Sequence, residues 1–383
     1  MKDFKGIGCT ESTKIMTDDV EEYAVKQILA LADNDAFVGA KIRIMPDVHP
    51  GKVGPIGFTA VAPDTLDKKF FRIMPYVIGN DIGCGITIAK INKKKIDFNQ
   101  LDKLIKENIP GGAKVRTKPH AYVVDKCMEI IDNLVCKNHV NMNKAILSLG
   151  TLGGGNHFIE IDKDDEGSLY IVVHSGSRSV GNVVTEHYMQ LGHKELKAYD
   201  IPYELTYLRN ELQNHYIWDA LQLQDYAEIN RNVIVREIVK GLKLDMEWAF
   251  SCSHNFIGLT PEGNMIIRKG AISANKNARV VIPINMRDGI ILGTGLGNPD
   301  WNYSAPHGAG RLFSRRDVKS NFTVSQYKKE MEGIHCTCIN KDTLDEAPFA
   351  YRKLDDIIDK ISDTVKVDKI IKPIYNYKAG GRE

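Results

Sequence analysis

Four short glycine-rich segments carry Asp, His or Cys beside apolar runs: MPDVHPGK at 45–52, GNDIGCG at 79–85, GGGNHFIE at 153–160 and VVHSGSRSVG at 172–181. A fifth segment, CSHNF at 252–256, adds another histidine after a strand-like run. Glycine lets the backbone pack closely at such turns while one side chain protrudes from a rigid sheet, as a clustered site requires. Between the fourth and fifth segments a helical pattern runs from about 179 to 241. Residues suited to one site therefore lie on both sides of this helical stretch, and a division into two domains there would separate them. The expectation is a single α+β domain over residues 1–383, with central β-sheets, surrounding helices, a helical insert at about 179–241 and a composite cleft.

The remaining pattern is compatible. AKIRIMPDVHPGKVGPIG and FRIMPYVIGNDIGCGITIAKI alternate β-branched runs with Gly and Pro punctuation, which reads as strands. IDFNQLDKLIKENI and YVVDKCMEIIDNLV read as helices, then AILSLG, FIEI and LYIVVHSG as strands. Beyond the insert, MIIRKGAI, ARVVIPINM and IILGTG read as strands and GAGRLFSRRDV as the start of a helix. GTGLGNP at 293–299 resembles a dinucleotide fingerprint, but it lacks a complete GxGxxG and no βαβ unit follows.

At 383 residues the chain can bury a substantial core. It shows neither a secretory leader nor an apolar run of membrane-spanning length, and its seven cysteines lack the even, close spacing of a disulfide framework. A cytoplasmic protein with free thiols is expected. The net charge of +2 leaves nucleic acid open as a partner, since only a local basic surface is needed.

Asp81, Cys84, His157, His174 and His254 form a candidate ligand set. Thiolate, imidazole and carboxylate together suit a divalent transition metal, and a bridging carboxylate could serve two ions. Taken singly, Cys84 reads as an ordinary core cysteine and His174 or His254 as a satisfied core histidine. His157 is harder to dismiss, because a strand held by packing alone has no need of the three preceding glycines. A second feature is SAPHGAGRLFSRR at 304–316. Small residues expose amides at the expected helix start, with Arg311, Arg315 and Arg316 behind them, which reads as a phosphate site with His307 as a nucleophile. Arg178, Arg268 and Lys269 lie near turns and would suit a phosphodiester backbone, or would serve as plain surface charge.

Together DVHPGKVGPIG, GNDIGCG, GGGNHFIEI, HSGSRSVG, CSHNF, RKGAIS, HGAGRLFSR and DEAPFAYRKLDD, in that order, resemble the RtcB family of RNA-splicing ligases, in a short form. The resemblance implies that family's α+β fold and a GTP- and manganese-dependent ligase joining an RNA 3′-phosphate or 2′,3′-cyclic phosphate to a 5′-hydroxyl, in RNA repair or tRNA splicing. By the same resemblance Asp81, Cys84, His157, His174 and His254 hold two Mn²⁺ ions, although residue chemistry alone would suggest zinc. It also makes His307 the guanylylated histidine and places Arg178 where RNA joining depends on it. Asn156, Glu160, Tyr351 and Lys378 become contacts to the guanine nucleotide, beside the Gly308, Ala309, Gly310 and Arg311 loop. An activating partner protein and the physiological RNA are left open.

Two other readings compete. Asp47-Val48-His49, Asn80-Asp81, Asn156-His157 and His174 follow the order of dinuclear metallophosphoesterase signatures, but the closing GHxH is missing and a hydrolase has no need of Cys84 or the HGAGR block. A non-catalytic RNA-binding protein of the same fold could have lost its ligand residues, whereas the whole set is present here.

Overall fold

A computed structural model describes residues 2–4, 13–63 and 71–380. Cys9 lies outside the described residues. Two large sheets dominate. The first has six strands in the order Lys2–Phe4, Thr13–Ile15, Lys41–His49, Ile56–Val61, Met265–Lys269 and Asn255–Leu259. The second has seven, in the order Arg279–Asn285, Gly289–Gly295, Val365–Tyr377, Phe158–Lys163, Leu169–Ser175, Gly85–Ile91 and Met246–Ser253, with every neighbour antiparallel. A two-stranded ladder of Ala271–Ser273 with Ser304–Pro306 completes the sheets among the described residues.

Both sheets draw strands from each side of the helical stretch, so its two flanks are interleaved within shared sheets. The seven-stranded sheet is covered on both faces. Phe158, Val172 and Ile86 join one core cluster, whereas Ile159, Ile161, Ile171 and Val173 join the other, following the two-residue alternation of a strand. With both faces buried, Leu169–Ser175 has no exposed position and its sequence is an unbroken apolar run up to His174.

The helical stretch itself forms Arg178–Leu196 and the long helix Asn210–Gly241. Tyr216, Ala220, Leu223, Ala227, Ile234 and Ile238 recur at helical spacing and are buried. Truncating one of them, Leu223→Ala, would cost about 2–5 kcal/mol. The buried face also carries polar residues with specific duties. Asn230 accepts from the N–H groups of Gly150 and Thr151 at 2.8 and 3.2 Å and donates to Gly176 O at 3.2 Å. Arg231 donates to Gly83 O at 2.7 Å and Ser175 O at 3.1 Å. The insert is thus a platform on which three site-bearing turns are anchored.

Three local expectations fail. Of FRIMPYVIGNDIGCGITIAKI only Gly85–Ile91 is a strand; residues 71–74 are irregular and Pro75–Ile78 is a short helix with Pro75 in its first turn. AILSLG is not a strand: Met142–Ser148 is a helix, capped by the Asn141 side chain on Lys144 N, with Ala145 and Ile146 packed into a core cluster. GAGRLFSRRDV does not open a helix at the glycines either. The helix begins only at Arg315, after Ser314 caps Asp317 N, and Gly308–Gly310 is loop.

Candidate active site

The antiparallel order brings four sequence-distant residues to one edge of the seven-stranded sheet. His157 precedes Phe158–Lys163, His174 lies near the end of Leu169–Ser175, Cys84 precedes Gly85–Ile91, and His254 follows Met246–Ser253. In adjacent antiparallel strands, alternate starts and ends share an edge. The register agrees, with Phe158 and Ile86 both opposite His174 and Gly85 opposite Ser253. All four side chains are buried.

Their donor atoms converge. Cys84 Sγ lies 3.3 Å from His174 Nε2 and 3.5 Å from His157 Nε2, and the Nε2 atoms of His174 and His254 are 3.4 Å apart. Asp81 Oδ2 is 3.0 Å from His157 Nε2. Two groups able to hold an ion result, one of Cys84, His174 and His254 and the other of Asp81, Cys84 and His157. The shared member is the thiol of Cys84, not a carboxylate, so sulfur is the donor atom common to both groups. Carbonyl oxygens fix the imidazoles from behind: His157 Nδ1 donates to Leu152 O at 2.9 Å and His174 Nδ1 to Asn156 O at 3.2 Å. Nε2 of both rings then points into the cluster, that of His157 towards the Asp81 carboxylate. Such a concentration of acceptors fits a divalent cation.

The electrostatics agree. Burial holds His174 and His254 well below an ordinary imidazole, with neighbouring histidines adding to the effect, so both stay neutral and able to ligate. Burial and then Asp81 push the Cys84 thiol well up, a cost that a cation would reverse. Burial opposes the charge of Asp81, but the His157 contact outweighs it and keeps the carboxyl well below its usual range. Asp81 Oδ1 accepts from Ser177 N at 2.8 Å. The turn carrying Asp81 and Cys84 depends on Gly83, whose φ is +73°; a Cβ there would sit 2.7 Å from Gln224 Cα of the long helix.

The cluster opens into a cleft of about 670 Å³. Asn156, Glu160, Gly308, Ala309, Gly310, Arg311, Tyr351 and Lys378 all line it, together with His307. The His307 ring centroid lies 4.8 Å from that of His254. Its Nδ1 donates to Oδ2 of the fully buried Asp47 at 2.7 Å, and the same oxygen accepts from the backbone N–H of His307 at 3.1 Å and of Gly308 at 3.2 Å. The expected helix-start anion site is therefore corrected: these two amides serve a carboxylate of the protein. Gly310 makes that approach possible, since its φ is +75° and a Cβ would meet Asp47 O at 2.4 Å.

The far wall is an ion network around buried Glu346. Lys378 Nζ donates to it at 3.1 Å, Arg315 at 2.5 Å, Arg311 at 3.4 Å and the Tyr351 hydroxyl at 2.7 Å. Burial would raise this carboxyl, but Lys378, Arg315 and Arg311 hold it down at about 2. Lys378 Nζ also reaches Asn156 O at 3.5 Å. Burial pushes Glu160 and Asp162 on the neighbouring strand upward.

Arg178 is not in the cleft wall. It is buried behind Asp81, donating to Thr151 Oγ1 at 3.0 Å and Gly112 O at 2.7 Å. Arg268 and Lys269 do not offer charge to a phosphodiester either: Arg268 donates to Ser304 Oγ at 2.9 Å, and Lys269 to the carbonyls of Val53 and Tyr76, both at 2.8 Å. Arg315, Arg316 and Lys319 instead line a second opening of about 800 Å³ with Gly154, Gly155, Asn156 and His157.

Residues without an assigned part in the sequence reading prove central. Asp47 figured there only as a metal ligand of the hydrolase reading, yet it belongs to neither donor group and holds His307. His49 lines the same cleft, with burial and then His307 lowering it to about 3. Arg231 carries no signal in a helix that reads as amphipathic, and Glu346 is visible only as part of DEAPFAYRKLDD.

A family model described as "tRNA-splicing ligase RtcB" matches residues 27–379. The RNA-splicing ligase RtcB of Escherichia coli strain K12 is 30% identical over 91% of this chain and 92% of its own length. RNA-splicing ligase RtcB1 of another E. coli strain matches at 30% over the same shares, and the tRNA-splicing ligase RtcB of Aeropyrum pernix is 26% identical over 86% of this chain and 85% of its own.

Proposed function

This chain belongs to the RtcB family, and from that premise we propose that it is a GTP- and Mn²⁺-dependent RNA ligase joining 3′-phosphate or 2′,3′-cyclic phosphate ends to 5′-hydroxyl ends through a guanylylated histidine. The observation that carries this reading is His307 itself. It stands at the cleft with Nδ1 bound to buried Asp47 and its ring against His254 of the donor cluster. A dinuclear metallophosphoesterase attacks with metal-activated water and needs no imidazole nucleophile beside its ions.

Asp47 retains the Nδ1 proton, so Nε2 of His307 carries the lone pair. Nε2 attacks the α-phosphorus of GTP, a P–N bond forms, and the bond to pyrophosphate breaks. Asp47 stabilises the positive charge that develops on the ring. An oxygen of the RNA 3′-phosphate then takes the guanylyl group, which restores His307. The 5′-hydroxyl attacks the RNA-side phosphorus of that diphosphate, loses its proton, and GMP leaves. A cyclic end is first opened by water to the 3′-phosphate. Asp81, Cys84, His157, His174 and His254 would hold the Mn²⁺ ions, which when bound supply Lewis-acid neutralisation of phosphate charge.

Glu160, Asn156, Tyr351 and Lys378 bind the guanine nucleotide on the wall opposite His307, with the Gly308–Arg311 loop beside its phosphates. Arg178 acts through Asp81 and the 151–153 turn, as a positioning residue. The second opening, with exposed Arg316 and Lys319 beside Gly154–His157, suits a phosphodiester strand approaching the same cluster. No described helix is long and apolar enough to cross a membrane.

The test is covalent labelling. The protein is incubated with α-labelled GTP and Mn²⁺ and denatured. Acid-labile, alkali-stable label on wild type, absent from His307→Ala, is the expected result. Hydrolysed nucleotide with no bound label on either would favour the metallophosphoesterase reading.

A further inference from the structure

Cys336 and Cys338 belong to neither donor group. The segment that carries them is stitched to the last strand, His335 N donating to Ile374 O at 3.1 Å and Asn376 N to His335 O at 2.9 Å. Their sulfur atoms lie 3.2 Å apart and are not bonded. Cys338 is buried and Cys336 half-buried. Cys338 is also held from behind, its carbonyl accepting from Thr343 Oγ1 at 2.5 Å and Asn340 Nδ2 at 3.1 Å.

The pair touches the cleft through one residue. The backbone N–H of Lys378 donates to Cys338 Sγ at 3.2 Å, while Nζ of the same lysine donates to Glu346 at 3.1 Å in the cleft wall. The contact with Cys336, in which either sulfur can be the donor, favours a thiolate at Cys338, with the Lys378 amide adding to this and burial opposing it. Thiolate is the form that peroxide attacks, and a neighbouring thiol is what resolves the product.

We propose that Cys336 and Cys338 are an oxidisable dithiol on which hydrogen peroxide acts, and that closing their disulfide loosens Lys378 from the nucleotide cleft. The second half rests on the nucleotide reading given above. Cys338 Sγ attacks one peroxide oxygen, the O–O bond breaks, and the leaving hydroxide takes a proton to become water. The Cys336 thiol gives up its proton and attacks Sγ of the resulting sulfenic acid; the S–O bond breaks and the hydroxyl leaves with a proton as the second water. Two thiols are oxidised and one peroxide is reduced. A disulfide of about 2.05 Å requires the sulfurs to close by roughly 1.2 Å from their 3.2 Å separation. Sulfur so bonded is a poor acceptor, and the N–H of Lys378 loses its partner. The bond closes a ring of three residues, so it gains little from loop closure and is readily reduced.

The full-length reduced protein is treated with a few equivalents of peroxide and its remaining thiols are alkylated. The tryptic peptide 330–341, which contains these two cysteines and no others, should lose two hydrogens and escape alkylation. Hydrogen exchange over 376–380 should quicken, and GTP should bind about tenfold more weakly, the equivalent of one lost hydrogen bond, with dithiothreitol restoring both. Cys336→Ser should bind GTP like the reduced protein and, lacking the resolving thiol, should form no internal disulfide with peroxide, its Cys338 stopping at a sulfenic acid that dimedone traps. Absence of the internal disulfide, a disulfide that changes neither exchange nor affinity, or a Cys336→Ser variant as sensitive as wild type would each overturn the proposal. Reduced protein that binds no GTP would instead refute the nucleotide reading, while mass and hydrogen exchange still decide the dithiol and its hold on Lys378.

Discussion

Replacing Asp47 with asparagine isolates what its charge does for His307. Asp47 Oδ1 is buried with no hydrogen-bond partner among the described residues, so the amide NH₂ of an asparagine can occupy that side while its oxygen keeps the backbone N–H groups of His307 and Gly308. The Nδ1 contact at 2.7 Å also survives, but as a neutral hydrogen bond, a loss of about 1–2 kcal/mol. As Nε2 attacks phosphorus the ring becomes cationic. A full charge 2.7 Å from the carboxylate would gain about 6 kcal/mol at an effective dielectric of about 20, of which a half-developed charge realises roughly half. The weaker ground-state bond is shared by the transition state, so only the lost charge stabilisation enters the barrier, about 3 kcal/mol or roughly 10²-fold slower guanylylation. Single-turnover labelling with α-labelled GTP reads the rate directly, and the melting temperature and GTP affinity should hardly move. A variant labelled within threefold of the wild-type rate, with the fold intact, would show that Asp47 does not act on the nucleophile.

Cys84→Ala removes the one residue common to both donor groups, so Mn²⁺ affinity by calorimetry should fall at least about tenfold and His307 labelling should disappear from a folded protein; full labelling would exclude Cys84 as a ligand. Gly83→Ala forces a Cβ to within 2.7 Å of Gln224 Cα at a φ of +73°, and a cost of about 2–3 kcal/mol should lower the melting temperature by several degrees. Burial raises the Asp164 carboxyl, but hydrogen bonds from Lys369 at 2.7 Å, Tyr170 at 2.8 Å and Ser168 N at 2.8 Å overcome it and hold it at about 2. A depressed carboxyl stabilises the fold above its unfolded value and ceases to as pH falls towards 2. The gap in urea midpoint between wild type and Asp164→Asn should therefore be present at pH 6 and shrink between pH 4 and 2; a constant gap would refute the pairing.

The strands bearing the site were legible because they are buried on both faces, which leaves runs such as LYIVVHS with no polar position to blur the pattern. AILSLG misled for the opposite reason. Six residues are too few for periodicity to separate helix from strand, and the deciding contacts come from elsewhere in the chain. Arg268 and Lys269 looked like surface cations because a sequence carries no record of which carbonyls will surround a charge.

By itself the sequence determined the chemistry available. Glycine at the turns, and Asp, Cys and His beside apolar runs, could be read residue by residue, because side-chain chemistry and backbone permissiveness are local properties. Only the tertiary structure decided how those groups are shared out. Antiparallel pairing brought His157, His174, Cys84 and His254 to one edge and made sulfur the common donor, and the long helix fixed their turns through Asn230 and Arg231. The loop after His307 turned its amides to Asp47, 260 residues away in the chain. Such choices depend on distances between distant segments, which appear only once the core has closed around them.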